Sequence, residues 1–156
     1  MISVDLCEIV KPSRCTRTME TLAQFIENYG ITCSANRVGA NPNMGDMPPG
    51  SSHYEVTLAR GRRRFRTYFS MGPAHTSEPT VRDVLSCLQS DVSGFICAGS
   101  FEEWASDLGF STDSRAVGVH RKAERIYKLI GKQAKVLREF LGEEAFDELI
   151  GEVEPD

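Results

Sequence analysis

The feature that most constrains the fold is an alternation of apolar and polar residues on both sides of Gly61, between His53 and Met71. Two alternating runs joined by a short segment with glycine are typical of a β-hairpin, whose successive side chains point to opposite faces. One face is predicted to be mainly apolar and to form a core: Tyr54, Val56, Leu58, Phe65, Thr67, Phe69 and Met71. The opposite face is predicted to carry Glu55, Thr57, Arg64, Arg66 and Tyr68.

The hairpin carries five arginines between Arg60 and Arg66. Arg64, Arg66 and Tyr68 share one predicted face, so cations and an aromatic ring can contact the phosphates and bases of a nucleic acid together. The same arginines can instead keep the sheet edge from pairing with other sheets. The remaining three, at positions 60, 62 and 63, are expected to lie in solvent around the turn.

A helix and a third strand are predicted before the hairpin. Residues 22–29 carry apolar side chains at helical spacing, and Gly30 is a helix stop. Residues 31–38 alternate as a strand does. Together with the hairpin they predict a small antiparallel sheet of about three strands.

Two further helices are predicted after the hairpin. The first begins at Pro79 or Thr80 and has an apolar face over residues 81–88. A short helix begins at Ser100, where Ser100 and Glu103 form a capping box in which each satisfies an amide of the other.

The longest predicted helix is amphipathic, begins at Asp113 or Ser114 and runs to about Leu141. A last short helix is predicted over residues 143–150. The predicted fold class is therefore α+β, a small sheet covered by four to five helices. Opposite the apolar face of the long helix lies a row of bases: Arg121, Arg125, Lys128, Lys132 and Lys135.

This row of bases has three interpretations. It can neutralise phosphates and release counterions, which gives salt-dependent binding without sequence preference. It can be an ordinary solvated face, or it can face the acidic segment of residues 143–156. The sequence pI near 5.4 is lower than expected for a dedicated nucleic-acid-binding domain.

Acidic residues are also segregated, with seven acids and one base between residues 78 and 113. Acids clustered on a surface can imitate phosphates and occupy the nucleic-acid channel of a partner, as a DNA mimic does. They can equally serve solubility alone. The candidate acidic surface comprises Asp83, Asp91, Glu102, Glu103 and Asp107.

The length of 156 residues fits one domain. Residues 1–18 are predicted to be a poorly ordered N-terminal extension, residues 19–151 a single α+β domain and residues 152–156 an acidic tail. No apolar run reaches the roughly 20 residues needed to cross a bilayer. The first residues lack the pattern of a secretory signal, so a cytoplasmic location is predicted.

Catalytic and metal-binding patterns are weak in this chain. The five cysteines are widely spaced and do not combine with the three histidines into a zinc pattern, so reduced cytosolic thiols are predicted. His75 lies near Ser70, Ser77 and Glu78, but no nucleophile elbow accompanies it. The chain is predicted to be no enzyme and to bind neither a cofactor nor a metal.

From Met19 onward, short motifs of the chain resemble a family of small uncharacterised proteins of phages and prophage-like elements. Residues 1–18 and 116–120 depart from that resemblance. The motifs lie at residues 41–44, 46–48, 69–74, 78–80, 83–85, 87–88, 90–91, 100–104, 113–115 and 137–142.

The resemblance implies an accessory protein of a mobile element in a bacterial cytoplasm. The first predicted function is therefore binding of a host protein complex that processes nucleic acid or serves defence. Such a protein would be an anti-CRISPR or other anti-defence inhibitor that acts by steric or electrostatic occlusion. The alternative is weak nucleic-acid binding through the arginine-rich hairpin and the basic row of the long helix.

Overall fold

The computed structural model describes residues 19–43, 48–75, 77–109 and 117–150, with the backbone alone for residues 19–20 and 117–119. The predicted extension at residues 1–18 and the predicted tail at 152–156 lie outside the described residues. The elements follow one another as α1 (Met19–Tyr29), β1 (Thr32–Val38), β2 (Ser52–Arg60), β3 (Arg63–Met71), α2 (Val81–Ala98), α3 (Phe101–Asp107), α4 (Val117–Leu141) and α5 (Glu143–Ile150).

The α+β fold class is confirmed, with a three-stranded antiparallel sheet in the order β1-β2-β3. The hairpin register pairs Leu58 with Phe65 and Thr57 with Arg66, so the apolar and polar sets fall on the two faces that alternation predicts. Gly61 has a φ of 58°, and no other residue of the two-residue turn has a positive φ. This is the combination that a type II′ hairpin turn requires.

The main core lies between one face of the sheet and the helices. Val56, Leu58 and Phe65 are almost completely buried there, together with residues of α1, α2, α4 and α5. Because the three strands are paired in this register, the apolar side chains of their inner face pack into the same core. The opposite side of the sheet, called the open face below, carries side chains that are exposed or half-buried.

A second, smaller core joins α3 to the first half of α4. Trp104 and Ala105 of α3 are buried against Ala123, Ile126 and Ile130 of α4. Phe95, Phe101 and Tyr127 border this core, and their ring centroids lie 4.7 Å (Phe95–Tyr127) and 5.4 Å (Phe101–Tyr127) apart. Since α4 has 25 residues and spans about 37 Å, one helix contributes to both cores.

The starts of α2 and α3 agree with the predicted capping residues, with one exchange, whereas the predicted start of the long helix at Asp113 or Ser114 lies outside the described residues. Thr80 and Asp83 form the full capping box of α2: the Asp83 amide donates to Thr80 Oγ1 (3.2 Å), and the Thr80 amide donates to Asp83 Oδ2 (2.9 Å). Ser100 caps α3 by accepting the Glu103 amide at 3.2 Å. The predicted return bond from the Ser100 amide to Glu103 is not formed, so the reciprocal pair is found at α2.

Candidate binding surfaces

The five arginines of the hairpin have different partners. Arg60 donates to the backbone carbonyl of Leu141 and lies over the ring of Tyr29, 4.7 Å from its centroid. Arg63 donates to the carbonyl of Phe140 at 3.3 Å. Because these carbonyls end α4, both guanidinium groups neutralise the partial negative charge of a helix C-terminus. The expected solvent exposure is confirmed for Arg63, which is exposed while it makes this contact, but not for Arg60, which is half-buried.

Arg64 and Arg66 lie on the open face, as predicted, and both are exposed. Arg64 folds back and donates to the carbonyls of Gly61 (2.7 Å) and Arg63 (2.9 Å). Arg66 has no hydrogen bond or ion pair with any described residue. Its neighbour on this face, Tyr68, is half-buried and points its hydroxyl at Glu55, 3.5 Å from Oε2. The open face therefore keeps one unengaged cation, Arg66, beside an acid.

A small polar network lies at the other end of the open face. The Oγ of Ser70 accepts a hydrogen bond from Asn41 Nδ2 at 2.9 Å and lies 2.8 Å from His53 Nδ1. Asn41 is buried and also accepts the amide of Asn43 at 3.0 Å, so it fixes the start of the loop after β1. Ser70 is thus paired with His53, its cross-strand neighbour, and not with His75. No carboxylate among the described residues bonds to His53, so the third member of a catalytic triad is not found there.

The row of bases on α4, called the cationic stripe below, is exposed: Arg121, Arg125, Lys128, Lys132 and Lys135. Lys128 forms an ion pair with Glu124 (2.9 Å), and this contact lowers the pKa of the Glu124 carboxyl. The other four stripe residues have no hydrogen bond or ion pair with the described residues. Within the described residues the cation that pairs with Glu143 of α5 is Arg138, which lies outside the stripe. Whether the stripe faces the acidic segment of residues 143–156 stays an interpretation, since residues 151–156 lie outside the described residues.

The stripe and the open face of the sheet point in different directions. Gln133 of α4 donates to Thr67 Oγ1 at 3.0 Å, and the ring of Phe140 contacts that of Phe65, with centroids 5.9 Å apart. Both contacts place α4 on the covered face of the sheet. The middle of the stripe lies roughly 100–120° around the helix from Phe140 and Gln133. The stripe is therefore centred away from the sheet, whereas Arg64 and Arg66 lie on the open face, on the other side of the sheet.

The predicted acidic surface is only partly present. Glu102, Glu103 and Asp107 are exposed on α3, as expected. Asp83 is half-buried and holds the capping box of α2, so it serves the helix start. Asp91 is buried, with 9 % of its surface exposed, and its assignment to an acidic surface is wrong. The sequence contained a signal for this burial, because Asp91 follows Val84 and Leu88 and precedes Phe95 in an i, i+4, i+7, i+11 series along one helix face.

The state of the cysteines differs from the prediction that they are reduced thiols. Cys87 and Cys97 are disulfide-bonded, whereas Cys33 is free. Ten residues of helix separate Cys87 from Cys97 by about 15 Å, which is too far for a bond between them. The prediction of reduced thiols is therefore wrong for these two residues. Disulfides are rare in the cytosol, so this finding does not support a reducing environment.

Comparisons of the chain with protein-family models, with curated proteins and with solved structures found no match. Within the described ranges, no group of His, Cys, Asp and Glu side chains is arranged to hold a metal ion. None of the helices seen in those ranges is both long enough and apolar enough to span a bilayer. The fold and its surfaces define an α+β protein with an exposed cationic helix face.

Proposed function

We propose that this protein is a non-enzymatic nucleic-acid-binding protein whose contact surface is the cationic stripe of α4. The observation that carries the proposal is that four of its five cations, Arg121, Arg125, Lys132 and Lys135, are exposed and have no partner among the described residues. From Arg121 to Lys135 the stripe is about 21 Å long. This length matches roughly six base pairs of a duplex, whose phosphates carry the negative charge.

The composition of the described surface favours a polyanion over a folded protein as the partner. Protein interfaces are rich in aromatic and apolar anchors at their centre and poor in lysine. Val136, with 46 % of its surface exposed, is the one large hydrophobic side chain exposed among the described residues. Its neighbours on the helix surface are Lys132 and Lys135, so the apolar patch is too small to anchor a protein.

Exposed acidic residues at the C-terminal end of α4 limit how far along the stripe a nucleic acid can bind. Glu139 continues the line of the stripe toward the end of α4, and Glu143 and Glu144 begin α5. These exposed acids repel phosphates at that end. The nucleic acid is therefore expected to follow the stripe from Arg121 to Lys135 and to end before Glu139. The excess of acids in the whole chain makes the binding weak and strongly dependent on salt.

The test is the salt dependence of binding to a labelled 20-base-pair duplex and to a 20-nucleotide single strand, measured by fluorescence anisotropy. The triple variant Arg121→Ala, Arg125→Ala, Lys132→Ala removes three unpaired cations of the stripe. Each phosphate contact contributes about 0.9 to the slope of log K against log salt. We expect the triple variant to lose between two and three from that slope and most of the affinity.

The matched control removes three other exposed arginines, Arg37, Arg62 and Arg82, none of which has a partner among the described residues. It changes the net charge by the same amount as the stripe triple. The control is expected to keep the wild-type slope. An equal loss in both triples would show an effect of net charge alone, and absence of binding at low salt would also refute the proposal.

The binding of a host protein complex by a phage-type inhibitor stays a prediction that rests on the motif resemblance. One structural observation favours it: Glu102, Glu103 and Asp107 are exposed together on the short helix α3. An affinity pull-down from a bacterial lysate, with Glu102→Gln, Glu103→Gln and Asp107→Asn as the comparison, tests it. A complex retained by the wild type and lost by the variant would support occlusion through the acids.

A further inference from the structure

A row of aromatic rings runs along one flank of the cationic stripe. His120, Tyr127 and Gly131 each come one position before a base of the stripe, so they lie about 100° around α4 from it, all on the same side. The ring of Phe101 lies between the first two, with its centroid 5.3 Å from that of His120 and 5.4 Å from that of Tyr127. Phe95 lies over Gly131, where an added Cβ would be 3.1 Å from its ring. The row therefore follows the stripe for about 16 Å.

The side chains of this row border the smaller core and are only partly covered by it. Trp104, which lies deeper in the same cluster, is buried, whereas Phe95, Phe101 and Tyr127 are half-buried. His120 has 36 % of its side chain exposed. Aromatic groups that a ligand can reach are thus held next to cations on one helix.

The charges beside the rings are compatible with a polyanion. Glu124 lies on α4 between His120 and Tyr127, but its carboxylate is paired with Lys128 at 2.9 Å. On α3, Phe101 faces α4, and the exposed acids Glu102 and Glu103 follow about 100° and 200° further around that helix. The flank between the stripe and the rings is therefore not acidic.

We propose that the stripe prefers single-stranded nucleic acid, with the phosphates on its cations and the bases stacked on Phe101, His120 and Tyr127. This inference rests on the proposed function, because the phosphate contacts of the stripe must first hold the strand beside the rings. An unpaired strand can turn its bases away from its backbone and stack them on aromatic side chains without sequence preference. In a duplex the faces of the bases are stacked on one another, so only its phosphates are available to this site.

The test separates stacking from charge by comparing two labelled strands in anisotropy titrations. One is a 20-nucleotide single strand, and the other is a 20-nucleotide strand of abasic sites, which keeps the phosphates and lacks every base. Because stacking on an aromatic side chain strengthens binding by about five- to hundredfold per base, we expect the intact strand to bind about tenfold more tightly than the abasic one. An unlabelled 20-base-pair duplex is expected to displace the intact strand less effectively than the same strand without label.

The double variant Phe101→Leu, Tyr127→Leu keeps apolar side chains in the smaller core and removes two rings of the row. Its affinity for the intact strand is expected to fall about tenfold, while its affinity for the abasic strand and its salt slope stay at the wild-type values. Phe69→Leu is the matched control, since it makes the same change at a half-buried ring that packs against the main core. This control is expected to keep both affinities.

Each result decides between the two proposals. Equal binding of the intact and abasic strands by the wild type would overturn this inference and leave phosphate binding by the stripe standing, as would a duplex that competes as well as the single strand. Absence of binding to every probe at low salt would refute the proposed function and this inference with it. Should the double variant not fold, His120→Ala, at a partly exposed position, replaces it in the same comparison.

Discussion

At the scale of single residues, Asp91 makes the stability of the fold depend on pH. Its carboxyl group is buried on α2, and burial raises its pKa from 3.8 to about 7. Between these two values the folded protein holds one proton more than the unfolded chain. The free energy of unfolding therefore falls as pH rises through this window, and the contribution is lost above about pH 7.

Asp91→Asn removes this dependence, since an amide does not ionise. The shift of the Asp91 pKa from 3.8 to about 7 spans about three units. At about 1.4 kcal/mol per unit, the free energy of unfolding of the variant at pH 8 is expected to exceed that of the wild type by on the order of 4 kcal/mol. Urea unfolding at pH 5 and pH 8, with disulfides intact, measures the difference. Asp107→Asn, on an exposed residue, serves as the control. Parallel pH dependence in wild type and Asp91→Asn would contradict the assignment.

At the scale of elements, the hairpin turn is held to the end of α4 by the guanidinium groups of Arg60 and Arg63. The contact extends through Tyr29 of α1, whose hydroxyl donates to Glu148 of α5; this hydrogen bond is the main reason that the pKa of Tyr29 is raised. Four elements thus meet around one arginine side chain. Gly142 adjoins the same place, since a Cβ built there would lie 3.5 Å from Arg63.

Arg60→Ala and Arg62→Ala form a matched pair that tests this junction. Arg60 is half-buried and bonded to Leu141, whereas Arg62 is exposed in the turn and has no partner among the described residues. Loss of a charged hydrogen bond and of the contact with Tyr29 is expected to cost about 1.5–3 kcal/mol for Arg60→Ala. Arg62→Ala is expected to stay within about 0.5 kcal/mol of wild type. Equal unfolding midpoints in urea for the two variants would exclude this role of Arg60.

At the scale of the whole molecule, the two basic regions are separated by the fold. The open face of the sheet carries Arg64 and Arg66, and the stripe lies on the far side of α4. One stretch of nucleic acid cannot lie along both at once without bending around the domain. We therefore expect one of the two surfaces to bind the nucleic acid. The stripe is favoured because it has more cations without a partner among the described residues.

The double variant Arg64→Ala, Arg66→Ala measures the contribution of the open face. If the stripe alone contacts the phosphates, the slope of log K against log salt stays at the wild-type value, because no counterion release is lost. Anisotropy titrations on the same duplex provide the measurement. A slope reduced by about two would place the nucleic acid on the hairpin instead of the stripe.

Some features of the fold and of its surfaces could be predicted from the sequence, and others could not. The hairpin faces, the turn at Gly61 and the apolar side of α4 could be predicted, and the register and burial agree with them. The exposed stripe could also be predicted, since a base opposite an apolar face points to solvent. Lys128 is a partial exception, because it is exposed but forms an ion pair with Glu124, one helical turn away.

Alternation and helical period are properties of a few neighbouring residues, and for this reason the sequence alone determined the elements and the faces they present. The partners of individual charges depend on which elements pack together. Only the tertiary structure decided that Arg60 and Arg63 bind the end of α4. It also decided that the hairpin and the stripe face apart, since these contacts join residues distant in sequence, whose proximity no local pattern encodes.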